Sequence, residues 1–195
     1  MSLILASTSP IRRKLLTQAG LSFSVMAPPV DEEKLKAGAT GLAPGALAQM
    51  LAAEKALAVA ATEPRSWVIG ADQVLDLDGA ILNKPRSLGE AAAHLARLQG
   101  KTHVLVTAIV CAHEGAIAWR HLGSVAMTMR KLSDKDIDAY LAAIGEDALT
   151  SVGAYKIEGR GIRLFEAISG DYFTVLGLPL LPLLNFLRTV NEVGP

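Results

Sequence analysis

Short apolar segments typical of strands alternate with helical periods along most of this 195-residue chain. This alternation constrains the fold more than any single motif does, because strands that alternate with helices are typical of α/β architectures. The segments with strand character are residues 2–6, 22–27, 66–71, 74–77, 80–83, 102–113 and 116–129. A short connection, HEGA, joins the last two and favours an antiparallel hairpin. The sequence therefore predicts a mixed sheet flanked by helices.

Capping residues mark where the first predicted helices begin. Ser9 followed by Pro10 is a favourable start, with serine as the N-cap and proline at the first helical position. Ser87 and Glu90 have the spacing of a capping box before an apolar helical period. An alanine-rich segment at residues 47–62 predicts a long helix.

Weaker patterns cover the remaining segments. Ser133 and Asp136 form a weaker version of the capping box, and a last helix is expected near residues 179–191. The segment VDEEK at residues 30–34 is typical of a solvated acidic turn, and the glycine-rich residues 36–46 indicate a loop.

Composition excludes several classes of protein. The single cysteine, Cys111, lies in an apolar run and excludes both an intramolecular disulfide framework and a zinc site built on cysteine pairs. The formal net charge is zero, so no overall basic field indicates nucleic acid as a partner. The most apolar stretch, residues 173–187, contains two prolines and is shorter than the roughly 20 residues that cross a bilayer. Without a recognisable secretory leader, we expect a cytoplasmic protein with no membrane partner.

The segment LILASTSPIRRKLL places hydroxyl groups and two arginines at the start of the first helix. Ser7, Thr8 and Ser9 follow the strand directly, so their hydroxyls and the free amides of the first helical turn form a candidate anion site. The helix dipole disfavours Arg12 and Arg13 at this end unless they reach a negative ligand. The alternative is that both guanidiniums reach solvent or an acidic neighbour.

A second group of candidate residues follows the strand WVIGA. Asp72 stands at the end of this strand, where it could hold a divalent cation or take a proton from a water molecule. Lys84 precedes Pro85, on backbone that is not helical, and could direct its charge at the same ligand. The alternatives are that Asp72 caps a turn and that Lys84 is solvated.

Two further charged residues have unusual surroundings. Lys55 lies within the alanine-rich helix, where its charge is more isolated than that of an ordinary surface lysine. Glu158 lies between Ile157 and a glycine, in a glycine-rich segment, and could accept a hydrogen bond from a ligand. Either residue could equally be solvent-exposed.

Together, LILASTSPIRRKLL, VDEEK, AAEKA, GADQVL, the segment from NKPRSLGEAAAHL to THVLVTA, and GAYKIEGRGIRLFEAISGDYFTVLGLPL resemble the Maf family. The resemblance covers nearly the whole chain. It implies a single Maf-like domain over residues 1–195, similar to inosine triphosphatases. That fold is an elongated α/β unit with a mixed, twisted central sheet, flanking helices and a cleft between two lobes.

The resemblance also implies an activity: a nucleoside triphosphate pyrophosphatase, which cleaves the α–β phosphate bond and releases a nucleoside monophosphate and pyrophosphate. It implies a divalent cation, magnesium or manganese, held by Asp72 and Glu32, with Asp72 as the catalytic proton acceptor. The residues that match the triphosphate-binding positions are Ser7, Arg12, Arg13, Lys55 and Lys84.

Three positions bear on the base. By resemblance, Ile11, Gln73 and Glu158 occupy the positions that distinguish the branches of the family. Gln73 and Glu158 are similar to the branch that acts on 7-methyl-GTP, whereas Ile11 stands where that branch can carry tryptophan. A glutamate can accept hydrogen bonds from the N1 and N2 donors of guanine, so we expect 7-methyl-GTP or another modified purine nucleotide as substrate.

Two other functions remain open at this level. One is a pyrophosphatase for dTTP and UTP, and the other is a nucleotide-binding regulator of septum formation. The resemblance also leads us to expect a homodimer.

Overall fold

A computed structural model describes residues 2–192 of the chain. Within that range, strands and helices follow one another in the predicted alternation. The strands are β1 (Leu3–Ala6), β2 (Ser24–Met26), β3 (Trp67–Leu77), β4 (Ala80–Leu82), β5 (Thr102–His113), β6 (Ala116–Met129) and β7 (Phe165–Ser169). The α-helices are α1 (Pro10–Gln18), α2 (Glu32–Gly38), α3 (Pro44–Ala60), α4 (Leu88–Leu98), α5 (Asp134–Ile144), α6 (Tyr172–Val175) and α7 (Leu180–Thr189). Short 3₁₀ segments cover Gly145–Thr150, Val152–Ala154 and Arg160–Leu164.

The strands belong to one mixed sheet, which confirms the predicted α/β class. Its order is β2-β1-β3-β5-β6-β7, with β4 paired to β3. Strand β1 pairs in parallel with β2 and β3, whereas the pairs β3–β4 and β6–β7 are antiparallel. Ala6 at the end of β1 pairs with Gly70 of β3. The residues that follow these two positions therefore lie on the same side of the sheet, in the direction of the carboxyl ends of β1 and β3. This is where α/β proteins commonly bind ligands.

The chain forms two compact units. The first contains the residues up to Gln73, Thr107–Gly123 and the residues from Tyr172 onward. The second contains Val74–Val106 and Ser124–Asp171. The assignment of residues 1–195 to a single domain stays a prediction.

The first unit is built around α3 and β3. Alanines at four-residue intervals line one face of α3 and are fully buried: Ala48, Ala52, Ala56 and Ala60. Gly70 of β3 lies against this face, because a Cβ atom at Gly70 would overlap the carbonyl oxygen of Ala52 and lie 2.8 Å from the nitrogen of Ala56. Small residues on both elements thus allow helix and strand to approach more closely than side chains usually permit.

The second unit packs α4 against α5 and the first two 3₁₀ segments. A buried hydrogen bond joins Nε2 of His103 to the hydroxyl of Tyr155 at 2.6 Å. The ring of Tyr155 also packs edge-on against Phe165. Burial lowers the pKa of His103 to about 4, so the imidazole is neutral at pH 7.

Several predicted elements differ from the structure. Residues 66–71 and 74–77, predicted as separate strands, form the single strand β3, since the polar pair between them continues the extended backbone. Most of the predicted turn at residues 30–34 and the start of the predicted loop at residues 36–46 form α2 instead, and the last three residues of that loop begin α3. Asp31 caps the helix α2 there by accepting a hydrogen bond from the amide of Lys34. The prediction missed α6 and β7.

Of the two predicted capping boxes, the weaker one, before α5, is complete, and the stronger one, before α4, is not. In α4, Glu90 accepts from the amide of Arg86, one residue before the N-cap Ser87, so the box is incomplete. In α5, Ser133 and Asp136 each accept from the other's backbone amide, which completes the box. A carboxylate as short as aspartate therefore suffices to close it here.

The single cysteine is inert by position. Cys111 lies in β5 and is fully buried. Burial raises the pKa of its thiol.

Within residues 2–192, no helix has the length and hydropathy that a membrane crossing demands.

Candidate active site

The start of α1 forms the first part of the candidate site, and α1 begins at the predicted cap. Ser9 is the N-cap, and its hydroxyl accepts from the amide of Arg12 at 3.5 Å. Ser7 is buried between β1 and the helix, and its hydroxyl oxygen accepts from the amide of Ser9 at 3.2 Å. Because these contacts use the oxygen as an acceptor, the hydroxyl proton of Ser7 is left for a ligand such as a phosphate oxygen.

Arg12 points into the protein. Its Nε donates to the carbonyl oxygen of Gly177 at 2.8 Å, and its Nη1 donates to the carbonyl oxygen of Ala71 at 2.9 Å. Nη1 also lies 3.4 Å from Oγ of Ser7. Two backbone carbonyls thus hold the guanidinium beside the helix N-terminus, and the rest of its five N–H donors can serve a ligand.

The charge of Arg12 is balanced by nearby carboxylates. Burial lowers the pKa of Arg12, and the negative charges of Asp72 and Glu32 act in the opposite direction. A guanidinium stays protonated in proteins even under such conditions. The charges of Asp72 and Glu32 therefore offset the unfavourable interaction of the Arg12 guanidinium with the helix dipole.

A buried ammonium joins the two acidic residues. Nζ of Lys55 lies 2.7 Å from Oδ1 of Asp72 and 2.9 Å from Oε1 of Glu32. The side chains of Lys55 and Asp72 are less than one-tenth exposed, whereas that of Glu32 is 44% exposed. The three residues, together with Arg12, form a compact cluster of two cations and two anions in the first unit.

The close contact of α3 with β3 explains how this cluster forms. Asp72 lies two residues after Gly70 in β3, and side chains two apart in a strand share one face. Lys55 precedes Ala56, whose backbone packs against Gly70. The glycine thus brings α3 near enough for Lys55 to reach Asp72, while Glu32 is the first residue of α2.

Gln73, the next residue along β3, is half-buried and hydrogen-bonded inside the first unit. Its Nε2 lies 2.9 Å from Oγ1 of Thr107. It also lies 3.0 Å from each of the carbonyl oxygens of Thr174 and Val175. The carboxamide of Gln73 is therefore fixed by β5 and α6.

Comparison with known proteins identifies the group to which this arrangement belongs. The family model described as "Maf-like protein" matches residues 2–190. The chain belongs to the Maf family. This membership confirms the resemblance that the sequence motifs indicated.

Relatives of this Maf chain have names that state an activity. A 7-methyl-GTP pyrophosphatase of Rhizobium meliloti (strain 1021) is 50% identical over 193 residues, which cover 98% of this chain and 97% of the relative. A nucleoside triphosphate pyrophosphatase of Bradyrhizobium diazoefficiens is 48% identical, covering 98% and 95%. Another of that name, from Nitrobacter winogradskyi, is 46% identical and covers 96% and 93%.

The structure of this Maf protein brings together five of the predicted site residues in its first unit: Ser7, Arg12, Glu32, Lys55 and Asp72. Arg13 is exposed and Ile11 is half-buried, both in the first turn of α1. Lys84 and Glu158 are exposed residues of the second unit. The individual roles of all these residues stay predictions.

Sequence reasoning missed the backbone atoms that hold Arg12. The carbonyls of Ala71 and Gly177 carry no side-chain signal, and Gly177 lies 165 positions from Arg12. The one available hint is Gly177 itself, whose φ of 83° lies in the left-handed region that favours glycine. For Thr107, which contacts Gln73, the sequence likewise predicts only a place in a strand.

The acidic residues of the cluster match the ligand chemistry of a hard divalent cation. Asp72 and Glu32 offer carboxylate oxygens close to one nitrogen, which shows that their oxygens converge. Within residues 2–192 no group of three or more His, Cys, Asp or Glu side chains is arranged to hold a metal. Magnesium commonly takes only one or two carboxylates and completes its shell with water and substrate phosphates, so the pair fits such an ion.

Proposed function

We propose that this Maf protein is a nucleoside triphosphate pyrophosphatase. It would hydrolyse the α–β phosphate bond of its substrate and release a nucleoside monophosphate and pyrophosphate. The observation that carries the proposal is the buried contact of Lys55 with Asp72 beside Arg12 and the start of α1. This site combines cations for a polyphosphate with a carboxylate for a water molecule, and the names of the relatives state the same activity.

The chemistry follows from the charges in the cluster. Arg12, Lys55 and the first-turn amides of α1 would bind phosphate oxygens, and the Ser7 hydroxyl would donate to another. Asp72 would accept a proton from the attacking water as its oxygen forms a bond to the α-phosphorus. The bond from that phosphorus to the bridging oxygen breaks, and pyrophosphate leaves. Positioning and charge stabilisation supply most of the rate in such a transfer.

We also propose that a divalent cation, magnesium or manganese, takes part in the reaction. Asp72 and Glu32 are the residues that would hold it. Such an ion, when bound, neutralises charge on the phosphate oxygens. Lys55 contacts both carboxylates in this structure, so it would have to share them with the metal or move toward the phosphates.

For the base, we propose 7-methyl-GTP or another modified purine nucleotide. Glu158 is exposed and could accept the two hydrogen bonds that a guanine edge donates. A pyrimidine offers fewer such donors. If a bound pyrimidine covered the carboxylate without replacing its hydrogen bonds to water, the nucleotide would bind more weakly. The name of the relative from Rhizobium meliloti agrees with this substrate.

The decisive experiment measures pyrophosphate release by the purified protein with magnesium. The substrates are 7-methyl-GTP, GTP, UTP, dTTP and CTP, and the control is the Asp72→Asn variant. We expect 7-methyl-GTP to be hydrolysed fastest and Asp72→Asn to lose turnover while still binding nucleotide. A preference for UTP or dTTP would contradict the proposed base. No release from any substrate would instead favour a nucleotide-binding regulator.

A further inference from the structure

We infer that His103 is a positioning residue for base recognition, which acts through the loop that carries Glu158. We call residues 156–164 the Glu158 loop. The inference rests on the proposed function, because it takes Glu158 as the group that binds the base. A cluster of three rings in the second unit joins the two ends of the loop: His103, Tyr155 and Phe165.

The backbone hydrogen bonds on either side of Glu158 are long. The amide of Gly159 donates to the carbonyl of Lys156 at 3.3 Å, and the amide of Ile162 donates to the carbonyl of Gly159 at 3.4 Å. Both distances exceed the usual range of about 2.7–3.2 Å. Because Glu158 itself is exposed, burial does not fix its position. Where its carboxylate lies therefore depends on how the rest of the second unit holds the loop.

Tyr155 holds the start of the Glu158 loop. Its side chain is buried, and its hydroxyl lies 2.6 Å from Nε2 of His103. Its carbonyl oxygen accepts from the hydroxyl of Ser151, also at 2.6 Å. Loss of either His103 or the Tyr155 hydroxyl would leave a buried polar atom without this partner, which is costly. The short bond therefore fixes the tyrosine directly before the loop.

Phe165 holds the end of the Glu158 loop. It is the first residue of β7, and it pairs with Met129 of β6. The ring centroid of His103 lies 5.9 Å from that of Phe165 and 5.6 Å from that of Tyr155. Tyr155 and Phe165 also pack edge-on, with their centroids 4.7 Å apart. His103 thus packs against the residue before the loop and the residue after it.

A glycine makes the Glu158 loop compact. Gly161 is buried, and a Cβ atom there would overlap the carbonyl oxygen of Lys156 and lie 2.7 Å from its nitrogen. The second half of the loop therefore packs directly on the backbone of Lys156, the residue that follows Tyr155. In so compact a loop, we expect a displacement of Tyr155 to move Glu158 as well.

A positioning role and a purely structural role of His103 predict different results. Loss of a structural contact would lower the amount of folded protein and affect every ligand equally. Loss of positioning would change the preference among bases and leave a ligand without a base unaffected. Inorganic tripolyphosphate has no base, and its proposed ligands Arg12 and Lys55 belong to the first unit. It is therefore the probe that separates the two roles.

The experiment compares Tyr155→Phe, which keeps the ring and removes the hydroxyl, and His103→Leu with the wild type. In both variants the ratio of kcat/KM for 7-methyl-GTP to that for UTP should fall about fivefold, the factor that corresponds to one hydrogen bond of about 1 kcal/mol. Calorimetry with magnesium should show tripolyphosphate binding within about twofold of the wild type. His103→Gln, whose amide can still bond to Tyr155, should restore the ratio.

The matched control is Thr102→Val. Thr102 precedes His103 in β5, so its side chain lies on the opposite face of the strand. There its hydroxyl lies 2.9 Å from that of Thr128, and both residues are distant in sequence from the Glu158 loop. This variant also removes one hydrogen-bonded hydroxyl from the second unit, and it should leave the ratio unchanged.

Glu158→Gln tests the proposed function separately and should lower the ratio at least as much as Tyr155→Phe does. If Glu158→Gln lowers the ratio but a folded Tyr155→Phe protein keeps it, the inference is wrong and the proposed base recognition stands. A Tyr155→Phe protein that loses tripolyphosphate binding as strongly as nucleotide binding would also overturn the inference. If Glu158→Gln leaves the ratio unchanged, the proposed role of Glu158 fails first, and the inference fails with it.

Discussion

The ammonium of Lys55 balances the charges of the candidate active site. It is buried with Asp72, and it reaches a second carboxylate on Glu32. A buried ion pair adds little net stability against an apolar replacement, but removing one partner leaves an uncompensated charge. The free energy of unfolding should therefore respond strongly to Lys55 and partly recover when the facing charge is removed.

We expect Lys55→Met to lower the free energy of unfolding by about 3 kcal/mol, because Asp72 and Glu32 then face each other without a cation. Adding Asp72→Asn should recover part of that loss. Urea unfolding of the two single variants and the double variant measures the coupling. A Lys55→Met protein as stable as the wild type would show that the charge cluster is not maintained in solution.

His103 predicts how stability depends on pH. Its pKa is about 4 in the folded protein because of burial, and about 6.5 in an unfolded chain. The unfolded state therefore binds the proton first as the pH falls. The contribution of His103 to the free energy of unfolding decreases from about pH 6.5 down to about pH 4 and does not change above pH 7.5.

The test compares the wild type with His103→Gln, whose amide can still bond to Tyr155. Between pH 7.5 and 4 we expect the wild type to lose about 3 kcal/mol more than the variant. Urea unfolding at the two pH values gives the difference. Equal losses in both proteins would mean that His103 does not titrate as its burial implies.

Part of the site could be predicted residue by residue and part could not. Ser9 and Pro10 mark the start of α1 through local capping chemistry, which a sequence displays directly. The supports of Arg12 are backbone carbonyls distant in the chain, and no side-chain pattern encodes them. The apolar neighbours of Lys55 indicate an unusual lysine, and the structure buries it, but its bond to Asp72 depends on how closely α3 approaches β3.

At the level of elements, the contact of α3 with β3 positions the catalytic candidates. Gly70 allows it, because any side chain there would enter the backbone of α3 at Ala52. Displacing the helix would move Lys55 away from Asp72, so packing and charge balance are coupled at this point.

We expect Gly70→Ala to lower the free energy of unfolding by about 2 kcal/mol, since the added methyl group overlaps the helix backbone. The matched control is Gly89→Ala in α4, where the new Cβ would lie 3.8 Å from its nearest neighbour, Oγ of Ser87. That change should leave stability equal or slightly higher, as alanine favours helices. Thermal unfolding of both variants checks this; a Gly70→Ala protein as stable as the control would contradict the close packing.

The strands and helices differ in how well the sequence predicts them. Strand and hairpin patterns gave β1, β5 and β6 nearly to the residue, because their apolar runs are long or sharply bounded. The helix α2 was missed because its acidic start is typical of a solvated turn, although Asp31 caps it. The short α6 and β7 lie in a glycine-rich segment whose conformation depends on tertiary contacts.

For the whole molecule, balanced charge makes binding depend on the local cluster. The formal net charge is zero, so no long-range field of the protein concentrates a polyanion. We therefore expect affinity for a polyphosphate to arise from Arg12, Lys55 and the start of α1.

A ligand that binds only the folded protein stabilises it by about 2.7 kcal/mol at 100 times its dissociation constant. We therefore expect a non-hydrolysable 7-methyl-GTP analogue with magnesium to raise the melting temperature by several degrees. The Arg12→Ala variant should show a much smaller rise at the same ligand concentration. Equal shifts in both proteins would locate the binding elsewhere.

The buried position of Cys111 has a consequence for when the protein can work. Its thiol is buried inside β5, and burial disfavours the thiolate, the form that attacks peroxides and disulfides. No other cysteine occurs in the sequence. The rate of nucleotide removal should therefore stay the same during oxidative stress, when enzymes that depend on exposed thiols lose activity.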